Sequence, residues 1–409
     1  MVPMTIDTGN TGFMLICAAL VLLMTPGLAF FYGGLVGRKN VLAIMMQSFV
    51  SMGLTTVLWY AYGYSLCFSG GEHGVIGNLD MAFLHGVDLM SPSPANNTIP
   101  TFVFVAYQLM FVIITPALIT GAFAHRVSFK AYLLFLIGWL TLVYFPFVHM
   151  VWGGGLLHDW GVLDFAGGIV VHNIAGMAAL ASVLFVGKRA VKDSGAHNVP
   201  FVALGAGLLW FGWFGFNAGS EFRVDGVTAL AFLNTQMGAA FGGMTWLIVE
   251  WMSVGKPKVL GFLTGAVAGL ATITPAAGYV SPASAMAIGV AAGIVCYYAV
   301  ALKNILKWDD ALDVWGVHGV GGLLGVVLLG VFASAAYNPG TNVNGLIFGN
   351  AGFFGVQLMA VVFSSVWAFA LTYAMLWVIN KLTPVIINKM EAERGLDESL
   401  HGEAAYLEA

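Results

Sequence analysis

The stretch Asp309-Asp-Ala-Leu-Asp-Val-Trp-Gly-Val-His-Gly-Val-Gly-Gly-Leu-Leu-Gly325 carries one histidine, His318, into an apolar run dense in glycine. An earlier stretch echoes it. In Asp164-Phe-Ala-Gly-Gly-Ile-Val-Val-His-Asn-Ile-Ala-Gly176, His172 stands eight residues after an aspartate, as His318 does after Asp310, and small residues follow both. Eight helical residues rise ~12 Å, so each unit is expected to hold an acid near a helix start and an imidazole about two turns inside. Two such units in one chain point to a buried histidine pair with related surroundings.

The surrounding chain is 409 residues long, 59% hydrophobic and 8% charged, whereas a soluble domain carries about 25% charged residues. This is the composition of an all-α integral membrane protein. Apolar runs of ~20 residues recur throughout, and each would cross a hydrocarbon core of ~30 Å as a helix that satisfies its own backbone. Eleven transmembrane helices are expected, at about 13–36, 41–68, 100–123, 130–150, 168–187, 199–218, 227–252, 258–275, 284–302, 313–333 and 351–380. Residues 1–380 then form the membrane domain and 381–409 a cytoplasmic tail.

Cytoplasmic loops collect Lys and Arg, which tests the count. Arg38 and Lys39, Arg126 and Lys130, Lys188, Arg189 and Lys192, Lys256 and Lys258, Lys303 and Lys307, and Lys381, Lys389 and Arg394 all follow odd-numbered segments; Arg223 alone falls on the other side. The N-terminus is therefore expected outside and the C-terminus in the cytoplasm. No basic residue precedes the first apolar run, so that run reads as a permanent helix and not a cleaved signal. Cys17, Cys67 and Cys296 lie in spans without any CxxC, which suggests neither a disulfide framework nor a metal knuckle. The outer segment 69–99 carries Glu72, Asp80 and Asp88 and no Lys or Arg; an acidic outer face gathers cations.

An internal repeat is visible. Ile114–Pro116 and Ile273–Pro275 are matching Ile-Thr-Pro triplets on the third and eighth spans, and the two histidines lie on the fifth and tenth. Because five is odd, the second set of five helices runs inverted relative to the first, as in carriers that bind between their halves. The expected architecture is an inverted five-plus-five repeat, with halves at about 10–190 and 199–335 and an eleventh helix at the C-terminal end.

Aromatic residues crowd the outer ends of several spans. Phe147-Val-His-Met-Val-Trp-Gly-Gly-Gly155 and Gly212-Trp-Phe-Gly-Phe-Asn-Ala-Gly-Ser220 put Trp152, Phe216 and Ser220 near the external surface, where Tyr107 and Phe111 also arrive. Ring faces attract a small cation by ~0.5–2 kcal/mol, and a hydroxyl can accept from an N–H donor. An interfacial aromatic belt would use the same residue types. Two imidazoles are too few for most metal sites, and no nearby Cys or carboxylate motif completes one.

With Phe104–Phe111, Trp152–Gly155, Asp164–His172, Gly212–Ser220, Asp309–His318 and the tail Arg394-Gly-Leu-Asp-Glu-Ser-Leu-His-Gly-Glu-Ala-Ala-Tyr406, the sequence closely resembles the ammonium transporter (Amt/Mep/Rh) family along essentially its whole length. The resemblance implies a homotrimer in the cell (inner) membrane with one pore per protomer and no cofactor or nucleic-acid partner. It implies an external ammonium site at Phe111, Trp152 and Ser220, with Asp164 as a buried acid that shapes it. A gate formed by Phe111 and Phe216 and a pore lined by His172, His318 and Trp213 would follow. Arg394, Gly395 and Asp397 lie in the tail segment that would answer to a cytosolic PII-type regulator. One departure is visible: His125-Arg126 stands where a Glu-Arg pair is expected, which puts a salt bridge there in doubt.

A mechanism follows from desolvation. Burial can lower the pKa of an amine by up to ~3–5 units from a lysine-like ~10.4, so an ammonium ion entering an apolar lumen can shed a proton and continue as ammonia, which potassium cannot do. Two other readings compete. An ammonium sensor would use the same pore but is expected to need an output domain, and an intramembrane enzyme would need a nucleophile motif such as GxSxG, which is not found.

Overall fold

The computed structural model describes residues 6–89, 91–191 and 195–406. Among these, eleven long helical segments follow one another: α1 (Thr8–Leu35), α2 (Arg38–Phe68), α3 (Thr101–Ile119), α4 (Phe129–Asp159), α5 (Gly168–Val186), α6 (Val199–Glu221), α7 (Gly226–Val254), α8 (Val259–Ile273), α9 (Pro282–Ile305), α10 (Trp315–Phe332) and α11 (Ala351–Leu382). Extended pairing among the described residues is limited to two isolated bridges, Pro92 with Pro100 and Val127 with Ile386.

Short polar side chains start these helices where the sequence places them. Asp7 accepts from the Asn10 amide at 2.7 Å, Asn198 from Phe201 at 3.0 Å, Ser281 from Ser284 at 3.0 Å and Asn350 from Phe353 at 3.0 Å. Each satisfies one of the amide donors that a helix start leaves open. Nine of the segments are long and apolar enough to cross a bilayer alone. Of the other two, α8 is short and α7 carries Asn234, Thr235 and Gln236. The polarity of α7 has a partner: Asn234 donates to the carbonyls of Ala277 at 2.9 Å and Val280 at 2.8 Å, closing the irregular backbone that follows α8 at Thr274-Pro275. Pro26 and Pro116 do not break their helices: α1 and α3 run through them.

The inverted relationship shows where α5 and α10 cross. Each begins in a π-helical turn, Gly168–Asn173 and Trp315–Gly319, which holds the histidine. Gly176, four residues after His172, lies against Gly319, the residue after His318. Gly322, four residues after His318, lies against Asn173, the residue after His172, where an added Cβ would sit 2.6 Å from the Asn173 nitrogen. Reciprocal glycine contacts of this kind bring two helix backbones together in lipid. The histidines lie about one turn inside their helices, not two, because Asp164 and Asp310 stand in the connecting segments ahead of the first turn.

Helix α11 braces the first half. Gln357 exchanges two hydrogen bonds with the Leu163 backbone, at 3.0 and 2.8 Å, and Ser364 donates to Asn173 at 2.7 Å. Beyond it the tail folds back on the segment between α3 and α4. The Ser128 amide donates to the Val385 carbonyl at 2.9 Å, and the Ile387 amide to that of Arg126 at 2.9 Å. A short helix, α12 (Lys389–Arg394), then leads to Asp397, whose carboxylate accepts from the Ala43 amide at the start of α2.

Candidate functional site: a conduit with two mouths

A cavity of about 480 Å³ opens on the side of the 69–99 segment, lined by Phe104, Tyr107, Phe111, Trp152, Asp164 and Ser220 among others. Its floor is aromatic. The rings of Phe111 and Phe216 lie 4.2 Å apart and tilted by 37°, and Trp152 meets Phe111 edge-on at 6.0 Å. The Tyr107 hydroxyl pins the end of α6, reaching the carbonyls of Gly215 and Phe216 at 2.9 and 2.8 Å and Ser220 Oγ at 3.3 Å. The structure thus assembles Phe111, Trp152 and Ser220, from three helices, around one space, with Phe216 against Phe111 at the head of the narrow section below.

Asp164 contributes to this space through its backbone. Its Oδ1 accepts from the amides of Gly167 and Gly168 at 2.9 and 2.6 Å, and its Oδ2 from Ile169 and Val170 at 2.7 and 3.2 Å. Its carbonyl accepts from the Trp152 indole at 2.9 Å. Both carboxylate oxygens are therefore taken up in capping the turn that leads to His172, and the main-chain oxygen orients the indole.

Below the Phe111–Phe216 contact the passage narrows to about 10 Å³, between His172, His318, Trp213 and apolar side chains such as Leu28, Ile114 and Leu209. That is room for about one water-sized molecule. The two imidazoles lie Nδ1 to Nδ1 at 3.2 Å, with ring planes 20° apart. Trp213 stacks on His172 at 5.4 Å and donates to Thr274 Oγ1 at 2.8 Å, which fixes its indole. In the Nδ1 pair one nitrogen donates and the other accepts. The donor ring then has a bare Nε2 and the acceptor ring a protonated one, so the lumen presents one acceptor and one donor. His172 Nε2 is buried and has no protein partner.

His318 also lines a second cavity, of about 450 Å³, open to the opposite face and edged by Arg189, Glu250 and Asp313. The loops around this mouth are held by charge. Arg189 grips Asp309 through two nitrogens, at 2.8 and 3.1 Å, and Arg126 lies 4.0 Å from the same carboxylate while donating to the carbonyls of Gly187 and Ala122. Burial alone would raise the Asp309 carboxyl, but Arg189 and then Arg126 outweigh it and hold the group down at about 2. The acid partner of Arg126 thus comes from the loop before α10 and not from position 125, which sequence reading missed because the two are far apart in the chain.

Of the three tail residues singled out, Arg394 is exposed and paired with Glu398 at 2.5 Å, whereas Gly395 and Asp397 are buried against the start of α2. No group of three or more His, Cys, Asp or Glu side chains able to hold a metal occurs among the described residues.

A bundle with reciprocally crossed halves, an aromatic mouth and an imidazole pair in a narrow lumen of largely apolar side chains defines a membrane conduit for a small, weakly basic solute. Over residues 12–406 the chain matches the Ammonium Transporter Family, and it belongs to that family. It is 44% identical over 402 residues to an ammonium transporter of Bacillus subtilis, covering 97% of this chain and 98% of that one. Its structure is similar to Mep2 of Candida albicans, with a TM-score of 0.89 at 35% identity, covering 95% of this chain and 88% of that one. A sensor Amt protein superposes with a TM-score of 0.88 at 30% identity, covering 97% of this chain and 98% of the other.

Proposed function

We propose that the protein transports ammonium by binding it as a cation at Phe111, Trp152 and Ser220 and passing it as ammonia between His172 and His318. The imidazole pair in the narrow lumen carries this reading, because a bare and a protonated Nε2 match a neutral molecule that both donates and accepts hydrogen bonds. A cation there would lose its hydration without a counter-charge, a large penalty. Loss of a proton avoids it, and potassium has no such route. The Phe111–Phe216 contact must part for each passage.

Liposomes carrying His172→Ala together with His318→Ala are expected to lose discrimination between ammonium and potassium. Unaltered selectivity would remove the histidines from the mechanism. A sensor that binds but conducts poorly would give negligible ammonium flux in wild-type liposomes.

Three further features belong to this proposal. The Lys and Arg distribution supports a cell-membrane orientation with the N-terminus outside and the tail in the cytoplasm, and family resemblance supports a homotrimer. The same resemblance supports a PII-type regulator acting on the tail. With Gly395 and Asp397 docked on α2, that partner would meet Arg394 first and reach the other two only by drawing the tail away.

A further inference from the structure

The outer cavity is lined by two carboxylates, and only Asp164 has both oxygens taken up by the fold. The other belongs to Glu221, which follows Ser220 directly and is 11% exposed. Its Oε1 accepts from Arg223, at 2.8 Å from Nη2 and 3.0 Å from Nε, while its Oε2 accepts no hydrogen bond from a described residue. Arg223 is held independently. Its Nε lies 2.7 Å from Asp225 Oδ2, and Asp225 Oδ1 caps α7 through the amides of Val227 and Thr228 at 2.8 and 3.0 Å. The guanidinium therefore keeps an anchor if Glu221 changes, and Glu221 stays at the end of α6 through its backbone if Arg223 changes.

We propose that Glu221 and Arg223 are the charge pair that sets the strength of cation capture at the outer mouth: Glu221 draws ammonium toward Ser220 and Trp152, and Arg223 limits that pull so that the ion can move on. The inference rests on the outer site capturing a cation. A confined carboxylate beside the site raises the local cation concentration, and a conduit needs binding weak enough to release. Asp164, saturated by four amides, cannot supply this variable charge at the mouth.

The test measures the half-saturating ammonium concentration of purified full-length protein by current recording on supported membranes, at ionic strengths of about 0.01 M and about 0.15 M, where screening lengths are roughly 30 and 8 Å. At low salt Glu221→Gln is expected to raise that concentration about tenfold or less, Arg223→Gln to lower it, Glu221→Asp to restore part of the wild-type value, and each shift to shrink at the higher salt. If both charge-neutralising variants weaken capture alike, the pair is a structural clamp and the inference is overturned. Trp152→Leu separates the two levels: if it weakens capture while the charge variants do not, the pair has no electrostatic role but the outer site stands. If none of the three changes capture, the outer cation site falls and the inference with it.

Discussion

Both oxygens of Asp164 are used by the turn ahead of His172, and its carbonyl holds the Trp152 indole. Asp164→Ala should therefore free four amides and loosen the turn whose main-chain carbonyl orients the indole, lowering stability by roughly 2 kcal/mol, the upper range for a lost helix cap, and weakening ammonium capture. Asp164→Asn retains one accepting oxygen and should fall between the two. Thermal unfolding of the purified variants alongside uptake checks this: a variant Asn protein with unchanged unfolding but abolished uptake would mean that the carboxylate binds the cargo directly. At this scale the sequence offers candidate residues more readily than it shows what each touches. His172, His318, Trp152 and Ser220 stand out by type and spacing, but nothing in the order of residues ties Trp213 to Thr274 or Arg126 to Asp309, which meet only through the fold.

Helices α5 and α10 meet glycine to backbone, and the register of that crossing decides whether the two imidazoles face each other. Gly176→Ala and Gly322→Ala each put a methyl group into the neighbouring backbone, and overpacking of this kind costs about 1–3 kcal/mol. Both are expected to lower the unfolding temperature and to cut ammonium flux. Gly207→Ala on α6 is the control, because a Cβ there meets nothing within 4 Å and alanine favours a helix over glycine by about 1 kcal/mol. Equal behaviour of all three variants would show that the crossing is not tightly packed. The helices themselves were legible, since their apolar runs lie within about five residues of the expected bounds, except that α4, expected to end near 150, continues to Asp159. The π-helical turns were not, because an extra residue per turn leaves no mark in hydrophobic periodicity. The position of the histidines one turn inside follows from those turns and the loops before them.

For the whole molecule the two faces differ. The loops on one face carry nearly all the Lys and Arg, and the tail packs on that face by pairing with residues 126–128 and capping α2. The native cysteines Cys17, Cys67 and Cys296 are buried, so an introduced thiol should report sidedness cleanly. His85→Cys, exposed in the outer segment, is expected to react with a membrane-impermeant maleimide in intact cells, and Glu403→Cys only after permeabilisation. The reverse pattern would invert the orientation. The tail's docking was invisible in the sequence, since Asp397 reads as one acid among several until Ala43 is placed beside it. The narrow section between the mouths, about 10 Å³, has a kinetic consequence. It cannot hold a queue, so no molecule is pushed forward by the one behind, and the ratio of inward to outward tracer flux is expected to follow the concentration ratio alone.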